Sequence, residues 1–228
     1  GWAAHGVNEF TWIDIVNRDY ATASEDGKCL DRLISIIDEV RKAAATASGR
    51  EALSSLMHLC AGQRPTTVES FSNLVTDALE TMPQMDYPYQ IGTLPGWPVN
   101  ATCKLVQEAT ASTDKHAKVS PTLQAIAKVV GWYYGYNGSN CLDGTVGQGG
   151  IPGGGPWPND AWGYQSCTET LHQFSGRGIR NYTFNMQGVN KDCKSYFAVS
   201  PRPAWTETHF GGYSDNTLLG GGSNLIFS

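Results

Sequence analysis

The chain has 228 residues, of which 40% are hydrophobic and 16% charged, with a formal net charge of −5. That balance excludes a disordered chain, which lacks the apolar content for a core, and a globular chain of this length can bury well over half of its unfolded surface. No run of Lys or Arg exceeds two residues, so nucleic acid and anionic lipid are not expected as partners, and no apolar run approaches the roughly 18–20 residues of a membrane span.

The first two thirds of the chain read as helices. A short one is predicted over residues 8–20. The clearest runs over 30–46, where Leu30, Leu33, Ile34, Ile37, Val40 and Ala44 recur at helical spacing and Gly49 lies just beyond as a stop signal. Thr66 and Glu69 read as a capping box for the next helix, with Val68, Phe71, Leu74, Val75 and Leu79 as its apolar stripe and Pro83 at its end. A short helix follows over 102–112. Ser120 and Pro121 open another that carries Leu123, Ile126, Ala127, Val130 and Tyr134. Residues 144–158 are rich in Gly and Pro and read as a loop; no strand precedes it and no Lys-Ser/Thr follows it, so it is not a phosphate loop. Residues 224–228 form a short apolar run that reads as a buried strand without a partner strand in this sequence, as a cut through a larger sheet would leave.

No Gly-x-Ser-x-Gly elbow occurs; the nearest stretch, Gly222-Ser223-Asn224, lacks the second glycine. His5, His58, His116, His172 and His209 are scattered, without metal-ligand spacing, so neither a metal nor another cofactor is expected. The six cysteines (Cys29, Cys60, Cys103, Cys141, Cys167 and Cys193) are even in number, dispersed, and without Cys-x-x-Cys, which favours disulfides; six cysteines allow fifteen connectivities that sequence alone does not separate. Asn100, Asn137 and Asn181 each begin an Asn-x-Ser/Thr sequon and are expected on exposed turns. Disulfides and sequons together indicate the oxidising secretory pathway. The first residues carry neither a starting Met nor a signal-peptide core, as expected of a mature or excised piece.

The stretch Trp162-Gly163-Tyr164-Gln165-Ser166-Cys167-Thr168-Glu169 resembles the Trp-x-Tyr-Gln-x-Cys-Thr-Glu signature of the serine peptidase family of lysosomal Pro-X carboxypeptidase and dipeptidyl peptidase II, the quiescent-cell proline dipeptidase. Met85-Asp86-Tyr87-Pro88-Tyr89, then Leu94-Pro95-Gly96-Trp97-Pro98 and Cys103, is similar to a second family segment. Pro201-Arg202-Pro203-Ala204-Trp205, Gly211-Gly212 and Ser223-Asn224-Leu225-Ile226-Phe227-Ser228 resemble the family's approach to its catalytic aspartate. The resemblance implies a mainly α chain: the helical cap of an α/β-hydrolase-type serine peptidase, with one core strand at its C-terminal end. The cap is expected over 1–215, with the 144–158 loop inside it, and the return into the core over 216–228. The family's serine, aspartate and histidine would then all lie outside this sequence, which is expected to hold no catalytic residue and to be inactive alone.

The implied function is that of a piece of a serine exopeptidase acting next to proline, with a proline-containing peptide as partner and a secreted, lysosomal or vacuolar location; a homodimeric parent is left open. The resemblance places Trp162 and Tyr164 around a proline ring, either there or in the cap core. It gives Gln165, Thr168 and Glu169 to the peptide backbone or to tying the loop to a helix, and His172 to the pocket or the surface. Gly163 stands where the dipeptidase branch carries an acidic side chain, whereas residues 201–205 look like that branch, so carboxypeptidase and dipeptidyl peptidase both remain. Family pairing implies disulfides Cys29 to Cys103, Cys60 to Cys141 and Cys167 to Cys193. A reading from another class is a secreted, disulfide-bonded helical binding module that recognises partners through its Gly/Pro loop and exposed aromatics.

Overall fold

A computed structural model of the chain describes residues 9–112, 119–145 and 161–210. His5, His116, the Gly/Pro loop beyond residue 145 and the expected strand and return after 215 lie outside the described residues. The described chain is mainly helical: α1 (Thr11–Thr22), α2 (Cys29–Ala44), α3 (Ala47–Leu56), α4 (Val68–Thr81), a 3₁₀ turn (Met82–Met85), α5 (Pro98–Ala111), α6 (Pro121–Tyr134), α7 (Ala161–Thr168), α8 (Met186–Phe197) and α9 (Trp205–Phe210). Its described residues divide into two compact units, one of residues 15–112, 119–145 and 178–180, the other of residues 9–14, 161–177 and 181–210.

In the first of these, α4 is the central element. Phe71, Leu74, Val75, Ala78 and Leu79 are fully buried, and Ser72, Thr76 and Glu80 on its other sides are buried too. α2 and α6 pack against it. The core face of α2 is Leu33, Ile36, Ile37, Val40 and Ala44, with Leu30 and Ile34 at its edge. Each buried Leu, Ile or Val there contributes about 1.5–3 kcal/mol by leaving water. The buried Tyr20 hydroxyl donates to Leu79 O at 2.9 Å, and burial pushes its pKa far up, so it stays a neutral donor.

Two expected boundaries move. The cap of α4 is Thr67, not Thr66: Thr67 Oγ1 accepts from Ser70 N and Ser70 Oγ accepts from Thr67 N, both at 3.0 Å, while Glu69 is exposed. Gly49 does not stop α2. It lies inside α3, where Gly49 N donates to the capping Thr46 Oγ1 at 3.0 Å, and a Cβ there would meet Ala43 O at 1.9 Å. The missing side chain is what lets α3 follow α2 with only two residues between them.

Cys29 is joined to Cys103 and Cys60 to Cys141, across separations of 74 and 81 residues. Closing loops of that length contributes about 4.5 kcal/mol each in the chain-entropy account. The second bridge sits beside a parallel pairing of Leu59 with Leu142, in which Cys60 N donates to Leu142 O and Leu142 N to His58 O, both at 2.9 Å.

Residues 178–180 complete this unit. Ile179 is buried, and Arg180 reaches Glu80 with two bonds (Nε to Oε1 3.1 Å, the second nitrogen to Oε2 2.5 Å) and Asp77 at 3.9 Å. Tyr134 Oη donates toward Asp77 Oδ2 at 3.0 Å. Gly178 has φ +80°, and a Cβ on it would lie 2.6 Å from the Asn17 side chain, so this turn needs glycine twice over.

The sequon asparagines are all exposed. Asn137 forms a turn, its Oδ1 accepting from Ser139 N at 3.0 Å and Asn140 N at 3.2 Å. Asn100 is not on a turn: α5 starts at Pro98, four residues earlier than the sequence pattern suggests, and Asn100 sits in its first turn.

Candidate functional site

The signature stretch folds as α7, in the second unit. Cys167, buried, is joined to Cys193 of α8, and Val189, Phe197 and Val199 pack around the bridge. Asn185 caps α8, its Oδ1 accepting from Gly188 N at 3.1 Å. Arg202 closes the same C-terminal end of α7, donating from Nε to Thr168 O at 2.7 Å and from its backbone N to Cys167 O at 3.3 Å. A cation there also suits the negative end of the helix dipole.

This frame separates the expected site residues. Trp162, Gln165 and Glu169 stand three and four residues apart and so share one face; Trp162 and Gln165 are exposed and Glu169 is half-buried. His172 stacks on Trp162 with ring centroids 6.3 Å apart and planes at 24°. Tyr164, two residues from Trp162, points away from that face and sets its ring edge-on against Phe197 of α8 at 5.8 Å. Thr168 is buried and its Oγ1 donates to Tyr164 O at 3.0 Å, within its own helix. Gly163 is buried on α7. Trp162, Gln165, Glu169 and His172 therefore lie on one side, while Tyr164, as exposed as Trp162, lies against α8 and Thr168 is buried within the helix.

The row of rings continues through residues that the sequence reading did not single out. His172 stacks on Phe174 (5.1 Å, 17°), and Phe174 on Trp12 (6.0 Å, 14°). Nothing in the spacing of Trp12 and Phe174, 162 residues apart, signals that they meet. The backbone beneath them is pinned: buried Ser175 donates from Oγ to Glu9 Oε2 and accepts from Phe184 N at 2.9 Å, and Gly176 pairs with Tyr182. Arg177 forms a two-bond ion pair with Asp14, which holds that carboxyl below the usual carboxylate range, and its guanidinium lies over the Phe10 ring at 4.8 Å. The result is a partly exposed stack Trp162–His172–Phe174–Trp12, with an amide and a carboxylate on the face of α7 that carries Trp162.

Among the described residues no group of three or more His, Cys, Asp or Glu is placed to hold a metal ion, and no helix is long and apolar enough to cross a membrane. The arrangement offers apolar ring faces and hydrogen-bonding groups, which is binding chemistry.

Residues 3–222 match the family described as Serine carboxypeptidase S28. The chain is 24% identical to the lysosomal Pro-X carboxypeptidase of Homo sapiens over 95% of its own length and 42% of that protein's, and 26% identical to that of Bos taurus over the same shares. It is 25% identical to the prolyl carboxy peptidase like protein 5 of Caenorhabditis elegans over 97% of this chain and 45% of that one. It thus spans less than half the length of these relatives. With a signature helix, three cysteine pairs and a match over nearly every residue, the chain belongs to the serine carboxypeptidase S28 family.

Proposed function

We propose that this chain is the helical cap of a serine exopeptidase that cleaves beside proline, and that it contributes the substrate-binding surface without the catalytic triad. The observation that carries the reading is the Trp162–His172 stack on a helix whose C-terminal end is fixed by Cys167–Cys193 and Arg202. Proline offers a rigid apolar ring and no amide donor, so flat ring faces recognise it better than hydrogen bonds do. Gln165 and Glu169, on the same face, are suited to the peptide groups flanking that ring.

Acyl transfer needs a serine activated by a histidine, a carboxylate that holds the imidazole, and amides that receive the oxyanion. This sequence has no Gly-x-Ser-x-Gly, and the longer relatives leave more than half of their length for that machinery. Three sequons and three disulfides support production in the secretory pathway and a secreted or lysosomal location. Gly163, buried on α7, offers no acidic group to a substrate amino terminus, and both carboxypeptidase and dipeptidyl peptidase specificities remain within the proposal.

The test is fluorophosphonate labelling combined with hydrolysis of proline-containing peptides. The 228-residue chain should neither label nor cleave, because loss of the triad's serine or histidine removes on the order of a million-fold in turnover. A parent polypeptide extended at both ends should do both. Stoichiometric labelling of a serine in the short chain would overturn the division of labour.

A further inference from the structure

Residues 87–103 contain no charged side chain, and the loop before α5 displays large rings to solvent: Tyr89 is 61% and Trp97 52% exposed, with Tyr87 and Ile91 exposed beside them. The display is rigid. Ile91 and Leu94 exchange both backbone bonds at 3.1 and 3.0 Å, buried Leu94 and the Thr93 hydroxyl (to Trp132 O, 2.6 Å) anchor the tip, and Trp97 N donates to Tyr87 O at 2.7 Å. Asp86 Oδ1 accepts from Val99 N at 3.0 Å, tying the start of the loop to α5. Trp97 is held at φ +51°, ψ +60°, a left-handed conformation that bulky residues rarely adopt. A strained, exposed tryptophan on a fixed loop calls for something that covers it.

The sequence supplies the cover three residues on. Asn100, exposed in the first turn of α5, begins a sequon, and positions i and i+3 at a helix start lie on the same side. We propose that Asn100 carries an N-linked glycan whose first N-acetylglucosamine lies on the exposed face of Trp97, closing the aromatic patch from outside. This rests on the proposed secretory origin of the chain. The apolar C–H face of the sugar meets the electron-rich indole face, while its hydroxyls stay in water.

Attachment joins Asn100 Nδ2 to C1 of the sugar, breaks the C1–O bond of a lipid-pyrophosphate-linked oligosaccharide, releases the lipid pyrophosphate, and passes one Nδ2 proton to a base. The remaining N–H can still donate to Ala23 O, which Nδ2 approaches at 3.3 Å. Transfer precedes folding of α5, because the Thr102 hydroxyl of the sequon is buried and bonded to Met82 Sδ at 3.4 Å.

The experiment expresses the full chain in a glycosylating host, maps site occupancy by glycopeptide mass spectrometry, and trims glycans enzymatically to one N-acetylglucosamine. Melting is then compared across a cycle of native chain, Asn100→Gln, Trp97→Asn and the double variant; asparagine tolerates the left-handed backbone. Asn100 should be occupied, and losing its sugar should lower Tm by about 2–4 °C with Trp97 present and by less than about 1 °C without it. Sugar protons on Asn100 of the native chain should show upfield ring-current shifts by NMR, a readout that survives if Trp97→Asn fails to fold. Occupied Asn137 or Asn181 with empty Asn100 overturns this inference and leaves the secretory reading standing. Three empty sequons overturn both. An occupied Asn100 without ring-current shifts, or with the same Tm loss in both backgrounds, overturns the stacking.

Discussion

Arg180→Met removes a guanidinium that faces two carboxylates in the larger helical unit. Glu80 is 9% exposed and bonded to Arg180 through both oxygens, with Asp77 beside the pair. Breaking a buried ion pair from one side costs about 3–5 kcal/mol, and the partial exposure of the Arg180 side chain argues for the lower end, about 3 kcal/mol. For a chain of this size that corresponds to a Tm loss of about 6–12 °C. Burial already raises the Glu80 pKa above its ordinary 4.5, against the opposing pull of Arg180; without Arg180 it rises further. The folded state then holds the Glu80 proton to higher pH than the unfolded chain, so stability falls as pH rises from the ordinary value through the raised one. The variant should accordingly lose least near pH 4.5 and most near pH 7.5, with the pH dependence abolished by adding Glu80→Gln. Thermal melts followed by circular dichroism across that range test it. A Tm loss that is the same at both ends, or below about 2 °C throughout, would refute the reasoning.

Replacing Cys167 and Cys193 together by serine opens a 26-residue loop and should destabilise the unit that holds α7 and α8 by about 3.5 kcal/mol, seen as faster proteolysis there with the α4 core still protected. Gly178→Ala should cost about 1–3 kcal/mol in denaturant melts, because it combines a left-handed φ with a contact against Asn17. In the extended parent, Trp162→Ala should lower kcat/KM on proline-containing peptides about tenfold, roughly 1.4 kcal/mol of lost stacking, while Tyr164→Ala should act mainly on stability. Equal losses of kcat/KM from both would place Tyr164 on the substrate as well.

Much of the helical core was legible because one side of each helix is apolar. Leu33, Ile37, Val40 and Ala44 predict α2 within two residues at either end, and Ser120-Pro121 predicts the start of α6 to the residue. What the pattern hides are elements fixed by contact. α3 opens with Ala47, Ser48, Gly49 and Arg50, a polar and glycine-containing turn, and its start depends on Gly49 clearing the α2 carbonyls. α8 carries a cap in Asn185 but few apolar residues, since its burial is concentrated at Cys193. The cysteine pairs follow the family pairing and no local feature, because a separation of 74 or 81 residues leaves no trace in spacing.

The site shows the same limit in another form. Reading Trp162 and Tyr164 as two walls around one ring assumes that residues two apart face the same way, which holds on a strand and fails on a helix, where they diverge by about 200°. The segment is helical, so Trp162 shares a face with Gln165 and Glu169, while Tyr164, equally exposed, sets its ring edge against Phe197 of α8. In the proposed site the second ring then comes from outside the helix: His172, four residues past the end of α7, is stacked on Trp162. A motif can thus be legible as a family signature while its geometry is not. The letters identify the ancestry, but the period of the backbone decides which of them can touch a ligand.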